Sequence, residues 1–212
     1  MSKARTLILR GPGTNCDLET AYAFEKAGAV VTVAHVNRLV RREDKLADYQ
    51  IMVVPGGFSY GDDLGAGKIL ANELKLSLGE DIRRFFERGG LILGICNGLQ
   101  VLVKADILPE PNAPQAPAVT LSGNDSGRFE CRWVYLAVNP DSPCVFTRGI
   151  ERLELPVANG EGKVVVAPED LARLNVVLYY TDQRGDRQAG YPDNPSGSTA
   201  NIAGISDSTG RV

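Results

Sequence analysis

Through the first hundred positions, apolar residues fall into short continuous runs separated by stretches in which they recur every three to four places. Thr6 to Arg10 is a run of strand length, followed by the loop Gly11-Pro12-Gly13-Thr14-Asn15-Cys16. Asp17 fits the N-cap of a helix whose Leu18, Ala21 and Tyr22 share one face, with Gly28 where a C-terminal cap is wanted. Ala29 to Val36 is rich in β-branched residues and predicts a second strand, and Gln50 to Val54 a third, stopped by Pro55-Gly56-Gly57. Leu78, Ile82, Phe85 and Phe86 stand at i, i+4, i+7 and i+8, a helix ended by Gly89-Gly90. Leu91 to Ile95 reads as a strand covered on both faces, with an apolar helix over Leu99 to Lys104. Such alternation implies right-handed crossovers and an α/β fold: an open, mostly parallel sheet with helices on both faces.

The second half changes character. Residues 105–118 hold four prolines and read as a surface connection. Beyond them, strand-like runs at Phe129 to Val138, Glu151 to Val157, Lys163 to Ala167 and Val176 to Thr181 are expected to add antiparallel strands to one domain spanning 1–212.

Composition narrows the function classes. With 212 residues, 43% hydrophobic and a formal charge of −3, the chain can bury a substantial core and is not disordered. A sequence pI near 5.3 argues against nucleic-acid binding, which needs a basic patch. No apolar run approaches the ~20 residues of a membrane span, and no signal-peptide pattern opens the chain, so a cytoplasmic location is expected. The cysteines Cys16, Cys96, Cys131 and Cys144 are scattered without a C-x-x-C pair, so thiols are expected rather than disulfides or a metal site. The single histidine, His35, limits every mechanism that needs imidazole.

Candidate chemistry concentrates in two segments. Gly94-Ile95-Cys96-Asn97-Gly98 is the nucleophile-elbow pattern with Cys in place of Ser. A nucleophile on a tight strand-to-helix turn leaves no room for side chains two residues either side. The helix N-terminus is expected to favour the Cys96 thiolate, and the Asn97 N–H to face a developing oxyanion. Gly56-Gly57-Phe58-Ser59-Tyr60-Gly61-Asp62-Asp63 follows the third strand and reaches the same carboxyl edge, where the Gly57 N–H can serve as a second oxyanion donor. The phosphate-loop order is absent from it.

PGGFSYGD at 55–62 and GICNGLQ at 94–100 resemble the class I glutamine amidotransferases, and more closely the branch serving phosphoribosylformylglycinamidine synthase in purine biosynthesis. GPGTNCD at 11–17, SGRFECRWV at 126–134, LPVANGEGK at 155–163 and YPDNPSGSTANIAGISDSTGRV at 191–212 extend that resemblance over nearly the whole chain. It implies that Cys96 attacks the glutamine side-chain amide, that Gly57 and Asn97 hold the oxyanion, and that Gln100 helps shape the glutamine pocket. It implies no cofactor in this subunit. The ammonia would pass to a large ATP- and Mg-dependent synthetase subunit, with a small third subunit in many organisms.

Two departures stand out. The resemblance places the catalytic His and Glu in a PHPE segment after a GRV-like strand, whereas this sequence ends at Gly210-Arg211-Val212. The expectation is a shortened form of a longer enzyme, with slow or absent glutamine hydrolysis by these 212 residues. Asn159 stands where the resemblance expects His, and Asn cannot accept and return a proton. His35 reads as a core or pocket-wall residue, Glu161 as a solvated loop residue, Cys16 as a loop thiol, and Cys131 and Cys144 as structural. A catalytically degenerate scaffold subunit and a cysteine-dependent redox or chaperone protein are the competing readings.

Overall fold

The computed structural model describes residues 3–111, 116–188 and 190–212. They form two compact units, Met1–Ile107 with Arg211–Val212, and Leu108–Gly210.

The first unit is built on a four-stranded parallel sheet of β1 (Arg5–Arg10), β2 (Val30–His35), β3 (Ile51–Val54) and β4 (Leu91–Gly94), in the order β2-β1-β3-β4. The two inner strands carry its core, with Leu7, Ile8, Leu9, Met52, Val53 and Val54 all buried. Helix α1 (Asp17–Lys26) links β1 to β2, and α2 (Val36–Val40) follows β2. Between β3 and β4 run α3 (Lys68–Glu73), a π-helical turn at Leu74–Leu78 and α4 (Gly79–Glu87), and α5 (Asn97–Lys104) leaves β4. Right-handed crossovers combined with this strand order put α1 on one face and α3 and α4 on the other. Beside β4 the backbone of Arg211 takes the Ile92 N–H at 2.8 Å, and its guanidinium stacks over Phe86.

The four strands and the amphipathic helix α4 fall within a residue or two of their expected bounds. Gly28 and Gly89 follow helix ends with φ of 93° and 94°, a conformation that glycine adopts without cost. Three expectations for this unit need correction. Asp17 is not the N-cap but the first residue of α1; Cys16 occupies the cap, and buried Asp17 pairs with Arg10 at 3.1 Å. The buried side of α1 is Asp17, Thr20, Ala21 and Phe24, spaced for one helical face, while Leu18 and Tyr22 are 70% and 63% exposed. Residues 105–118 do not begin as a surface connection, because Ala105, Ile107 and Leu108 are buried; residues 112–115 of that segment lie outside the described residues.

The second unit holds β5 (Val119–Ser122), β6 (Glu130–Val138), β7 (Arg152–Asn159), β8 (Lys163–Val166), a helical turn α6 (Pro168–Leu171), β9 (Asn175–Thr181) and β10 (Ile202–Ser206). They form an antiparallel sheet, β10-β9-β6-β7, and a two-stranded β5-β8 ribbon. Val134, Leu136 and Tyr180 anchor its core, packed by Leu153, Val157 and Leu178. The antiparallel additions match the sequence expectation, while β5 and β10 were not foreseen.

Loops of this unit are held by buried asparagines. Asn194 Oδ1 accepts the N–H groups of Gly197 and Ser198, while Nδ2 donates to the Ser198 carbonyl and to Asn201 Oδ1. Asn124 bridges the Arg128 and Asn159 carbonyls and accepts the Gly162 N–H.

Candidate active site

The strand order of the parallel sheet reverses between β1 and β3, and open α/β sheets bind ligands at the carboxyl ends flanking such a reversal. Residues 11–16 leave β1 there and residues 55–63 leave β3. Thr14 and Gly57 form a β-bridge between these loops. Phe58 N–H donates to the Gly13 carbonyl at 3.0 Å, Tyr60 N–H to that of Pro12 at 2.7 Å and Cys16 N–H to that of Gly56 at 3.2 Å.

Beside them stands the turn from β4 into α5. Cys96 occupies the N-cap of α5 with φ 55° and ψ −113°, a strained backbone for a non-glycine residue and the geometry of a nucleophile elbow. The flanking glycines are required by contact. A Cβ on Gly98 would stand 1.8 Å from the Val54 carbonyl oxygen, and one on Gly94 2.8 Å from Gly98 backbone atoms. Gly57 has φ 144°, and a Cβ there would lie 2.8 Å from both Asn15 N and the Gly13 carbonyl oxygen. Among the described residues no acceptor takes the Gly57 N–H.

Asn97 joins the elbow to the β3 loop. Its buried side chain accepts the Ser59 N–H at 3.1 Å through Oδ1, and Nδ2 donates to Asp62 Oδ1 at 3.1 Å and to Gln100 Oε1 at 2.9 Å. Asp62 Oδ1 also accepts the Gly67 N–H at the start of α3. Three consecutive residues of this loop, Tyr60, Gly61 and Asp62, have positive φ. The Tyr60 hydroxyl donates to Glu73 at 2.7 Å, and burial together with that carboxylate pushes its pKa up to about 12.

The Cys96 thiol opens to solvent, yet its pKa is raised. Burial by the protein around it is the largest cause. The Asn97 backbone N–H acts the other way, and the charges of Cys16 and Asp62 raise the pKa further. At the helix N-terminus the Asn97 N–H does favour the thiolate, and burial outweighs it. The Cys16 thiol is raised as well, by burial and then by Glu19 and Asp17.

The structure thus gathers Cys96, Gly57, Asn97 and Gln100 at one sheet edge. Gln100 is buried and braces Asn97. Cys16, read from sequence as a loop thiol, borders the elbow: the place a Gly56 Cβ would take lies 3.4 Å from Cys16 Sγ and 3.5 Å from Cys96 Cβ. Sequence reasoning missed Asp62 and Ser59. Their segment was flagged for its glycines, but the positive φ values that turn Asp62 toward Asn97 leave no pattern in the sequence.

His35 ends β2, at the opposite edge of the sheet from β4, three strand spacings or roughly 14 Å across. Its Nδ1 accepts the Asn37 N–H and caps α2. Asn159 ends β7 in the second unit, where its Oδ1 accepts from Ser196 Oγ at 3.3 Å. Glu161 is half-buried rather than fully solvated. Cys144 is buried, whereas Cys131 is exposed on β6. All four cysteines are thiols. Among the described residues no helix is long and apolar enough to cross a membrane.

Comparison with known proteins places this site in context. Residues 3–212 match the sequence model of the CobB/CobQ-like glutamine amidotransferase domain. A phosphoribosylformylglycinamidine synthase subunit PurQ of Dehalococcoides mccartyi is 60% identical over 212 residues, spanning 100% of this chain and 83% of that protein. The subunit of the same name from Methanococcus maripaludis is 43% identical, over 98% of this chain and 78% of its own length. Among solved structures, PurLQS from Thermotoga maritima aligns with a TM-score of 0.77 and 33% identity, covering 100% of this chain and 85% of that one.

Proposed function

The chain belongs to the CobB/CobQ-like glutamine amidotransferase family, and we propose that it is the glutaminase subunit of a phosphoribosylformylglycinamidine synthase in purine biosynthesis. The observation that carries this reading is the elbow: a cysteine with a strained backbone at a helix N-terminus, the Asn97 N–H beside its sulfur and Gly56, the residue before Gly57, close to its Cβ. The names of its relatives supply the substrate context.

The chemistry follows from the site. Cys96 Sγ adds to the carboxamide carbon of glutamine, and the carbonyl oxygen becomes an oxyanion received by the Gly57 and Asn97 N–H groups. A donor so placed contributes about 3 kcal/mol to the transition state. Collapse of the intermediate breaks the C–N bond, the thiol proton leaves with the nitrogen as ammonia, and a glutamyl thioester remains. Water then adds to the thioester, giving glutamate and restoring the thiol. Of the groups beside Cys96, the Asn97 N–H favours the thiolate, and His35 stands too far away to act as base.

The subunit itself calls on no cofactor. Ammonia passes to a large ATP- and Mg-dependent synthetase subunit, with a small third subunit; the likeness to PurLQS from Thermotoga maritima supports the multi-subunit assembly alone. Both units of the chain serve one amidotransferase domain, a reading supported by the match over 3–212. The location is cytoplasmic.

The test is to assemble the protein with its synthetase and supply either glutamine or ammonia. Where glutamine supports amidine formation, Cys96→Ala is expected to abolish that support and to leave the ammonia-supported reaction intact. Equal support by glutamine with and without the thiol would overturn the proposal, and would favour a scaffold.

A further inference from the structure

Asn97 contributes two separable groups to this site. Its backbone N–H stands beside the Cys96 sulfur whatever the side chain is. Its carboxamide uses every hydrogen in a different task, with Oδ1 on the Ser59 N–H, one Nδ2 proton on Asp62 and the other on Gln100. This pattern fixes the amide orientation, because a flip would set Nδ2 against an N–H donor and Oδ1 against two acceptors.

The loop held by that amide needs holding. Tyr60 and Asp62 are non-glycine residues in the left-handed region on either side of Gly61, and such a run persists only when its surroundings over-determine it. Bonds to Pro12, Gly13 and Glu73 tie the loop to the β1 loop and to α3. Those bonds place the loop without reference to the nucleophile. The Asn97 carboxamide ties it across to the elbow itself, spanning 35 and 38 residues of sequence. Asp62 carries the connection on to Gly67 at the start of α3.

We infer that the side chains of Asn97 and Asp62 are positioning residues of the glutaminase site, holding the loop that carries the Gly57 N–H in register with Cys96. This rests on the oxyanion role proposed above for Gly57. Loss of the carboxamide lets the two oxyanion donors separate, while the thiol itself keeps its surroundings.

Two alkylation rates at Cys96 and one amide exchange rate test the assignment. A glutamine-derived diazo-ketone reads the assembled pocket, iodoacetamide reads the thiol alone, and hydrogen exchange of the Ser59 N–H reads the latch. Asn97→Leu is expected to slow diazo-ketone labelling at least about tenfold relative to iodoacetamide. It should also speed Ser59 exchange about tenfold or more. Asp62→Ala should lower the same labelling ratio, and Asp62→Asn, which keeps an acceptor oxygen, should recover most of the loss. A ratio and an exchange rate both unchanged in Asn97→Leu would overturn the inference. If Asn97→Leu fails to fold, the Asp62 pair decides: no loss in Asp62→Ala, or no recovery in Asp62→Asn, overturns it. If the diazo-ketone does not label the unaltered protein, the glutaminase reading fails, and Ser59 exchange alone decides the latch.

Discussion

Gly98 lies so close beneath Val54 that a Cβ on the glycine would stand 1.8 Å from the valine carbonyl oxygen. That approach lets α5 start directly under the end of β3 and lets Cys96 project from the turn. Gly98→Ala must push helix and strand apart, and overpacking of this kind costs about 1–3 kcal/mol or more. At roughly 2–4 °C per kcal/mol for a chain of this size, Tm should fall by several degrees. A melting curve checks this, and an unchanged Tm would mean the elbow does not have this geometry.

Cys96 should alkylate as a weakly acidic thiol. A raised pKa keeps the protonated form to higher pH, so the iodoacetamide rate at neutral pH falls below that of an ordinary cysteine. Its midpoint should lie above that of an ordinary cysteine. Removing a nearby negative charge favours the thiolate, so Asp62→Asn and Cys16→Ser should each move the midpoint to lower pH. Burial, the largest cause, remains in both variants. Mass spectrometry of the Cys96 peptide across pH separates its signal from that of Cys16.

His35 should matter to α2 and not to Cys96. Its Nδ1 caps the helix, so His35→Ala is expected to cost about 0.5–2 kcal/mol, and His35→Asn, which retains a capping oxygen, less. Neither change should alter the alkylation rate of Cys96. A loss of Cys96 reactivity in His35→Asn would revive His35 as a base.

Asn194 is the connector of the second unit. Asn194→Ala strands the Gly197 and Ser198 N–H groups, each at a cost of about 1–3 kcal/mol when buried. Denaturant unfolding should show a loss of at least about 2 kcal/mol. A loss below 0.5 kcal/mol, the usual size for surface changes, would contradict the assigned network.

The sheet was legible because each parallel strand is an apolar, β-branched run bounded by a glycine or proline turn, and the elbow because steric contact demands glycine on both sides of Cys96. Short strands such as β5 and β10 carry little pattern of their own; Ile202–Ser206 includes a glycine and an alanine and is defined by its pairing with β9. The face of α1 was misread because Leu18 and Tyr22 are the larger apolar residues, while the sheet accepts the smaller Thr20 and Ala21 beside Phe24. The place of Cys16 beside the elbow, and the Asn97–Asp62 bond, depend on loops brought together by sheet order. Local propensity does not encode such contacts.

Whether Cys96 sits in a site that recognises glutamine is read by labelling with a glutamine-derived diazo-ketone followed by peptide mass analysis. One equivalent is expected on Cys96, with suppression by about 10 mM glutamine, well above ordinary KM values, and no suppression by other amino acids at that concentration. Modification that glutamine fails to suppress, or that falls on other cysteines with Cys96 unmodified, would contradict such a site.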